Sequence, residues 1–315
     1  EADPWTSRDA TSAQEVPASL AVVGGGVVGC EMATAYASFG TEVTLLSRGP
    51  LLEQMEPFAG ELVHEALEAM GVAVKLKADV ASARRTGDHV VVELVGGTEV
   101  TAEQVLVATG RRPRTDDLGL ERVGLTPGDW IDVDDTMHST EVEWIWAVGD
   151  VNHRALLTHQ GKYQARAAGD AIVARAAGRD LDTGRFGAHV ATADKGFVPQ
   201  VTFTDPEVAS IGLTEQQALA AGMRVRTLDH DLAALGGSAA YSDDYRGRAR
   251  AVVDEDRHVL VGATFVGPDV AELLHSATVA IVGEVPIDRL WHAVPSYPTV
   301  SEVWLRWLEA YNRSS

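Results

Sequence analysis

The chain has 315 residues, 45% of them hydrophobic, which suits two or three domains with a large core. Its 26 Lys and Arg stand against 46 Asp and Glu, a formal charge of -20, and with no basic patch this excludes a nucleic-acid-binding surface. No apolar run reaches the roughly 18 residues of a membrane span, no signal peptide opens the chain, and the single cysteine, Cys30, has no internal disulfide partner, so a cytoplasmic protein without a membrane partner is expected.

Residues 1–16 are polar and without periodicity, the pattern of a linker or an incoming arm. Leu20 to Val23 then read as a buried parallel strand, followed by Gly24, Gly26 and Gly29 at the spacing G-x-G-x-x-G. The first glycine allows the tight turn, the second lets a pyrophosphate approach the backbone, and the third lets the next helix pack close to the strand. That helix is expected from Val27 to Phe39, stopped by Gly40, with a second apolar strand over Val43 to Leu46. Its first amide groups and the positive end of its dipole suit a phosphate. Strand, motif, helix and strand at these lengths favour a dinucleotide site over a plain βαβ turn.

The end of the second strand selects the nucleotide. An acidic residue there binds the ribose 2′-hydroxyl of NAD; this chain has Ser47 and Arg48, a hydroxyl and a guanidinium that suit the 2′-phosphate of NADP. NADP is the expected cofactor and NAD the alternative, because Glu53 and Glu56 lower the local potential and Arg48 also reads as a solvated charge. Cys30, just past the loop, reads as a packing residue and not as a nucleophile.

Further along, Leu62, Ala66, Leu67 and Met70 place a helix over Gly60 to Met70, and Val72 to Leu76 is a strand. Val90 to Leu94 and Val100 flank Gly96-Gly97 as a hairpin, and Val105 to Gly110 is a buried strand ending in glycine. After Pro113 the chain is loop-rich up to Thr140, Ala147, Gly149 and Asp150, which form T-x6-A-x-G-D. The run Trp144 to Trp146 is expected as a strand whose Gly-Asp end puts a carboxylate at a sheet edge, where it accepts hydrogen bonds from sugar-like hydroxyls; Trp144 and Trp146 are assigned to core and rim packing. A long helix starts near Thr158, its N-terminus facing an electron-rich group.

From about Pro199 the texture becomes α+β: strands, a capped helix start at Thr214, the antiparallel pair "RARAVVD" and "LVGATFVG", the amphipathic "VAELLHSATVAIVG", and a closing turn and helix. Trp291, Trp304 and Trp307 are expected on a dimer surface. His64, His89, His258 and His275 show no metal spacing, so no metal site is expected.

Taken in order, G-G-G-V-V-G-C-E, A-T-G-R-R-P, A-V-G-D, V-P-Q-V-x-F-T-D-P-E-x-A-S-I-G and Y-P-T-V-S-E resemble the pyridine nucleotide-disulfide oxidoreductases, a flavoprotein family, over essentially the whole chain. The resemblance implies an α/β fold: a Rossmann-like NAD(P)-binding domain (17–112) after an arm (1–16), the C-terminal half of an FAD-binding domain (113–195), and an α+β dimerisation domain (196–315). It implies that Gly24, Gly26, Gly29 and Glu31 form the NAD(P)H fingerprint and that Ser47 and Arg48 discriminate NADP from NAD. Gly110 matches a glycine near the nicotinamide, and Asp150 the aspartate on the FAD ribityl chain. Leu156, Leu157, Thr158 and His159 match the helix start that faces the flavin, and Val80 and Gly149 complete the cofactor-binding set.

Two departures matter. The family's earlier glycine fingerprint for the FAD adenosine and its C-x4-C redox pair are not in this chain, so a fragment or a split protein with a separate FAD-domain segment is expected. The family's acid/base pair is a His before Pro and a Glu beyond it; here Glu302 is in place but Tyr297 precedes Pro298. A tyrosine, with its ordinary pKa of about 10, is a poor base at neutral pH, and an interface turn with a helix cap is the competing reading. The implied function is hydride transfer from NADPH to FAD and on to a disulfide or other small acceptor, in a homodimer whose Tyr297 and Glu302 reach across to the partner subunit. The alternatives are a non-catalytic dinucleotide-binding and dimerisation module, or one half of a split enzyme.

Overall fold

The computed structural model describes residues 2–313; the outer ends of the first and last expected domains, residue 1 and residues 314–315, lie outside the described residues. By its contacts the chain divides into two units. One joins the residues up to Thr109 with those from Val201 onward, and the other is Gly110–Gln200.

The first unit is built on β1 (Ser19–Val23), whose middle residues Leu20, Ala21 and Val22 are fully buried, as a central parallel strand requires. A helix (Ser7–Ser12, α1) precedes it, and α2 (Val27–Ser38), β2 (Glu42–Leu46), α3 (Pro57–Ala69) and β3 (Ala73–Lys75) follow. Next come β4 (Val80–Thr86), β5 (His89–Leu94), β6 (Glu99–Ala102) and β7 (Gln104–Val107). The strands β3-β2-β1-β7 form a parallel sheet with Ala21 opposite both Thr44 and Val105, and β4-β5-β6 form a separate antiparallel sheet.

Three details depart from the sequence reading. Helix α3 starts three residues early, because Pro57 occupies its first turn, where a missing N–H costs nothing. The strand β4 was not expected; its segment VASARRT is mostly exposed and carries no apolar alternation. The arm, described from residue 2, pairs with the sheet and is more than a bare linker: Trp5 donates to the Val105 carbonyl (2.8 Å) and accepts from Val107 N–H (2.9 Å). A Thr6–Asp9 capping box starts α1, and the Tyr36 hydroxyl donates to the Ala10 carbonyl at 2.7 Å.

The C-terminal part of this unit is a five-stranded sheet of order β10-β11-β12-β9-β8, formed by β8 (Gln200–Thr202), β9 (Glu207–Gly212), β10 (Val225–Asp231), β11 (Arg248–Asp254) and β12 (Val259–Gly267). The pairs β10·β11, β11·β12 and β12·β9 are antiparallel. In chain order its helices are α5 (Glu215–Ala220), α6 (Gly236–Tyr241), α7 (Ala271–Val282), α8 (Ile287–Leu290) and α9 (Val303–Arg313). Helix α5 opens with a Thr214–Gln217 capping box, at the position expected from the sequence. The expected tryptophan surface is corrected here. Trp307 is 2% exposed and packs its ring 5.4 Å from Phe265, so it belongs to the core; Trp304 stacks edge-on against it and donates to Ser276, and Trp291 is exposed.

One ion network, buried at its Glu56 end, ties α3 to this sheet. Arg250 is bidentate on Asp229 (2.9 and 2.8 Å) and also donates to Glu56 (3.1 Å) and Glu215 (2.9 Å). Glu56, almost fully buried, also accepts the Glu215 N–H at 2.8 Å.

The second unit is organised around one helix, Thr158–Ala176, here called αF, with loops folded against it. The strand expected over Trp144 to Trp146 does not form. Ser139 N–H donates to the Ile145 carbonyl and Ile145 N–H to the Val142 carbonyl, so the chain closes on itself and leaves only an isolated bridge from His138 to Trp146. Trp144 is 68% exposed, and is therefore neither core nor rim. Asp150 lies in a short 3-10 turn (Gly149–Asn152), not at a sheet edge. Among the described residues no helix is long and apolar enough to cross a membrane, and no three His, Cys, Asp or Glu side chains converge on a metal-sized site.

Candidate functional site

The glycine loop joins β1 to α2. Gly24 has φ +123°, donates its N–H to the Leu46 carbonyl (2.8 Å), and has no room for a Cβ against the Ala108 carbonyl. A Cβ on Gly29 would overlap the Gly24 carbonyl oxygen, so the helix meets the strand at a distance only glycine permits. Gly26 is the N-cap of α2 and faces open space, with nothing within 4 Å of a Cβ. The result is a cradle whose middle position is bare backbone at a helix N-terminus, which fits a pyrophosphate.

Ser47 is 5% exposed, and a Cβ on Gly25 would come within 2.3 Å of its hydroxyl oxygen. Ser47 N–H donates to the Lys75 carbonyl and Ala78 N–H to the Ser47 carbonyl, both at 2.9 Å. This pairing brings the exposed Lys75 and Lys77 alongside the exposed Arg48, which makes no ion pair among the described residues. Glu56 is held by Arg250, which it shares with Glu215 and Asp229. Glu53 stays close, its carboxylate 3.4 Å from a Cβ on Gly49. Val80 is half-buried at the start of β4, and Gly110 adopts φ +152° with open space around it.

Glu31 lies on α2 and accepts the Phe203 N–H at 2.8 Å, so this side chain carries a structural bond. Cys30 is fully buried; burial, with the Glu31 charge behind it, pushes its thiol up to about 12. It is inert packing, as its surroundings require.

In the second unit, Gly149 (φ +77°) donates its N–H to Gln164 Oε1 at 2.7 Å. Asp150 accepts from Arg111 Nη1 at 2.8 Å, and the same nitrogen donates to the Leu156 carbonyl at 2.7 Å. Leu157 is the extended N-cap of αF, Thr158 is its first residue, and His159 Nε2 lies 2.9 Å from the Pro199 carbonyl. The first intrahelical bond is Gly161 N–H to Leu157, so the amides of Thr158, His159 and Gln160 at this N-terminus have no intrahelical acceptor. The structure thus brings Gly149, Asp150, Leu157, Thr158 and His159 together within one unit. The sequence reading missed Arg111 and Gln164; only Arg111, next to Gly110, carried a local signal.

The third group is Tyr297 and Glu302. Tyr297 is 80% exposed, whereas Glu302 is 5% exposed with Oε2 lacking a hydrogen-bond partner and Arg306 at 4.0 Å. Both converge on Gly236, where a Cβ would meet Tyr297 Cε2 at 3.0 Å and Glu302 Oε2 at 3.3 Å.

Residues 1–175 match the family described as pyridine nucleotide-disulphide oxidoreductase, and residues 198–307 match the dimerisation domain of that family. Among characterised proteins, a dihydrolipoyl dehydrogenase of Geobacillus stearothermophilus is 34% identical over 303 residues, 94% of this chain and 61% of that protein. Among solved structures, the HOCl-induced flavoprotein disulfide reductase RclA from Escherichia coli superposes with a TM-score of 0.82 at 25% identity, over 97% of this chain and 67% of that one. LpdA from Mycobacterium tuberculosis gives 0.80 at 26% identity, over 100% of this chain and 66% of that one. The chain therefore spans about three fifths of the length of the curated relatives it matches, 61% for the first of them.

Proposed function

This chain belongs to the pyridine nucleotide-disulphide oxidoreductase family, and from that membership we propose that it supplies the nucleotide-binding, flavin-contacting and dimer-forming parts of an FAD-dependent NADPH oxidoreductase. The observation that carries the reading is the bare Gly26 backbone between Gly24 and Gly29, at the N-terminus of α2. When bound, the flavin would take a hydride from the reduced nicotinamide and pass the electrons to a disulfide or another small acceptor.

The residues of this chain divide the work. The Gly24–Gly29 loop would hold the pyrophosphate through its amides. Arg48, with Lys75 and Lys77 on the neighbouring segment, would hold a 2′-phosphate; an exposed arginine where NAD-binding chains carry an acidic residue at the end of β2 supports NADP over NAD. Asp150 would accept from hydroxyls on the ribityl side, and the free amides of αF would favour negative charge at its N-terminus. Buried Cys30 takes no part as a redox thiol. Tyr297 would present its phenol O–H as a hydrogen-bond donor, with the buried Glu302 behind it. The exposed Tyr297, Val294 and Trp291 support a homodimer built on the C-terminal part. Two sequence features support a cytoplasmic setting: a single cysteine and a strong net negative charge.

The test is the visible spectrum of the purified protein before and after anaerobic NADPH, repeated with NADH and with Arg48→Glu. A flavin band that bleaches with NADPH at lower concentration than with NADH, and a reversal of that order in the variant, is the expected result. A colourless protein that still binds NADPH would leave only a nucleotide-binding module.

A further inference from the structure

Behind Asp150 runs a buried polar relay that neither the glycine loop nor the C-terminal part involves. Gln164 is fully buried on αF. Its Oε1 accepts from Gly149 N–H (2.7 Å) and from Asn152 Nδ2 (2.9 Å), while its Nε2 donates to Asp194 Oδ2 (2.9 Å). The Asp194 side chain, 1% exposed, also accepts from Arg154 Nε (3.0 Å) and Gln160 Nε2 (3.1 Å). Arg154 continues to Asp135 (2.9 Å), which Lys195 closes off at 2.6 Å.

The relay has a direction. An ionised carboxylate only accepts hydrogen bonds, so Asp194 requires the amino end of the Gln164 amide. That turns the carbonyl end toward Gly149, whose N–H has to be met in a left-handed turn. The backbone there has no slack, because a Cβ on Gly161 would come within 3.0 Å of the Gly149 Cα. Asp150 is the next residue, and its carboxylate faces outward to Arg111. The orientation of the turn that presents Asp150 is thus fixed by a charge 44 positions further along the chain.

We propose that Asp194, acting through Gln164, is a positioning residue for the flavin-binding face of this chain; the assignment rests on the flavin reading above. The apolar half of αF holds the helix in place, and the relay sets where the Gly149–Asp150 turn points.

The experiment compares FAD and NADPH affinities of the intact protein with those of Asp194→Asn, Gln164→Leu, and the paired exchange Gln164→Glu with Asp194→Asn. The singles are expected to weaken FAD binding by about tenfold or more, the equivalent of one misdirected hydrogen bond to a charged group, and to leave NADPH affinity unchanged. The paired exchange restores a carboxylate–amide pair in reverse order and is expected to recover most of the FAD affinity. A wild type that takes up no flavin would remove the flavin reading, and the role of Asp194 with it. A wild type that holds flavin, with single variants that hold it equally well or a paired exchange no better than the singles, would overturn this proposal alone.

Discussion

Replacing Gly29 by alanine tests the glycine loop most directly. The new methyl would overlap the Gly24 carbonyl oxygen and come within 2.9 Å of its carbon, and both are backbone atoms. No side chain rotation relieves this; α2 has to move away from β1 or the loop has to open. Overpacking of this kind costs about 1–3 kcal/mol, and alanine in a helix returns about 1 kcal/mol of propensity. A net loss of up to about 2 kcal/mol is expected. Binding suffers too, because the amides that face the pyrophosphate move with the loop. NADPH affinity, followed by titration calorimetry, is expected to fall by about tenfold or more, the equivalent of one lost charge-assisted hydrogen bond. Gly169→Ala is the control: it is helical, and a Cβ there meets nothing within 4 Å, so it should be neutral or stabilising without touching NADPH binding. Equal NADPH affinities for the two variants would refute the assignment of Gly29 as the contact that sets the loop.

Other outcomes follow from the same structure. Arg250→Met strands the buried Glu56 carboxylate and should cost about 3–5 kcal/mol in urea unfolding; a loss below about 1 kcal/mol would mean the network contributes little. Burial pushes the Asp229 carboxyl up, but the hydrogen bond and charge of Arg250, with Arg248, hold it net below its ordinary value. Its contribution is therefore full above the unfolded value of about 3.9 and lost as pH falls through the lower folded value. The stability gap between wild type and Asp229→Asn should accordingly narrow below about pH 4, and a gap that stays constant to lower pH would contradict it. Cys30, with its thiol pushed up to about 12, should react with a thiol reagent only as fast as the protein unfolds; fast stoichiometric labelling of the native chain would show that α2 opens locally.

Sequence pattern made the first half of the fold legible because its signals are local. Leu20 to Val23, the glycines and the small residues of α2 each have one physical role, and period and spacing reveal it. The strands β11 and β12 were equally clear from their apolar runs. The false strand at Trp144 to Trp146 came from the same logic, since an apolar run is extended only if a neighbouring strand pairs with it. Here Ser139 and Val142 turn the chain back instead. The dimer surface expected of Trp307 fails because Phe265, distant in sequence, covers its ring. The polar groups were the least legible. Glu56 and Arg250 meet across 194 positions, and nothing near Gln164 marks it as buried. Such partners become visible only once the chain is folded.

The arm that carries Trp5 has a consequence for solubility. In the order β3-β2-β1-β7, β7 is an outer strand, and Trp5 hydrogen-bonds along it on the open side. Without those bonds the backbone of Val105 and Val107 would offer a ready template to another extended chain. Losing the Trp5 segment would therefore do its damage at high concentration, as strand-to-strand self-association, while leaving the nucleotide cradle itself intact.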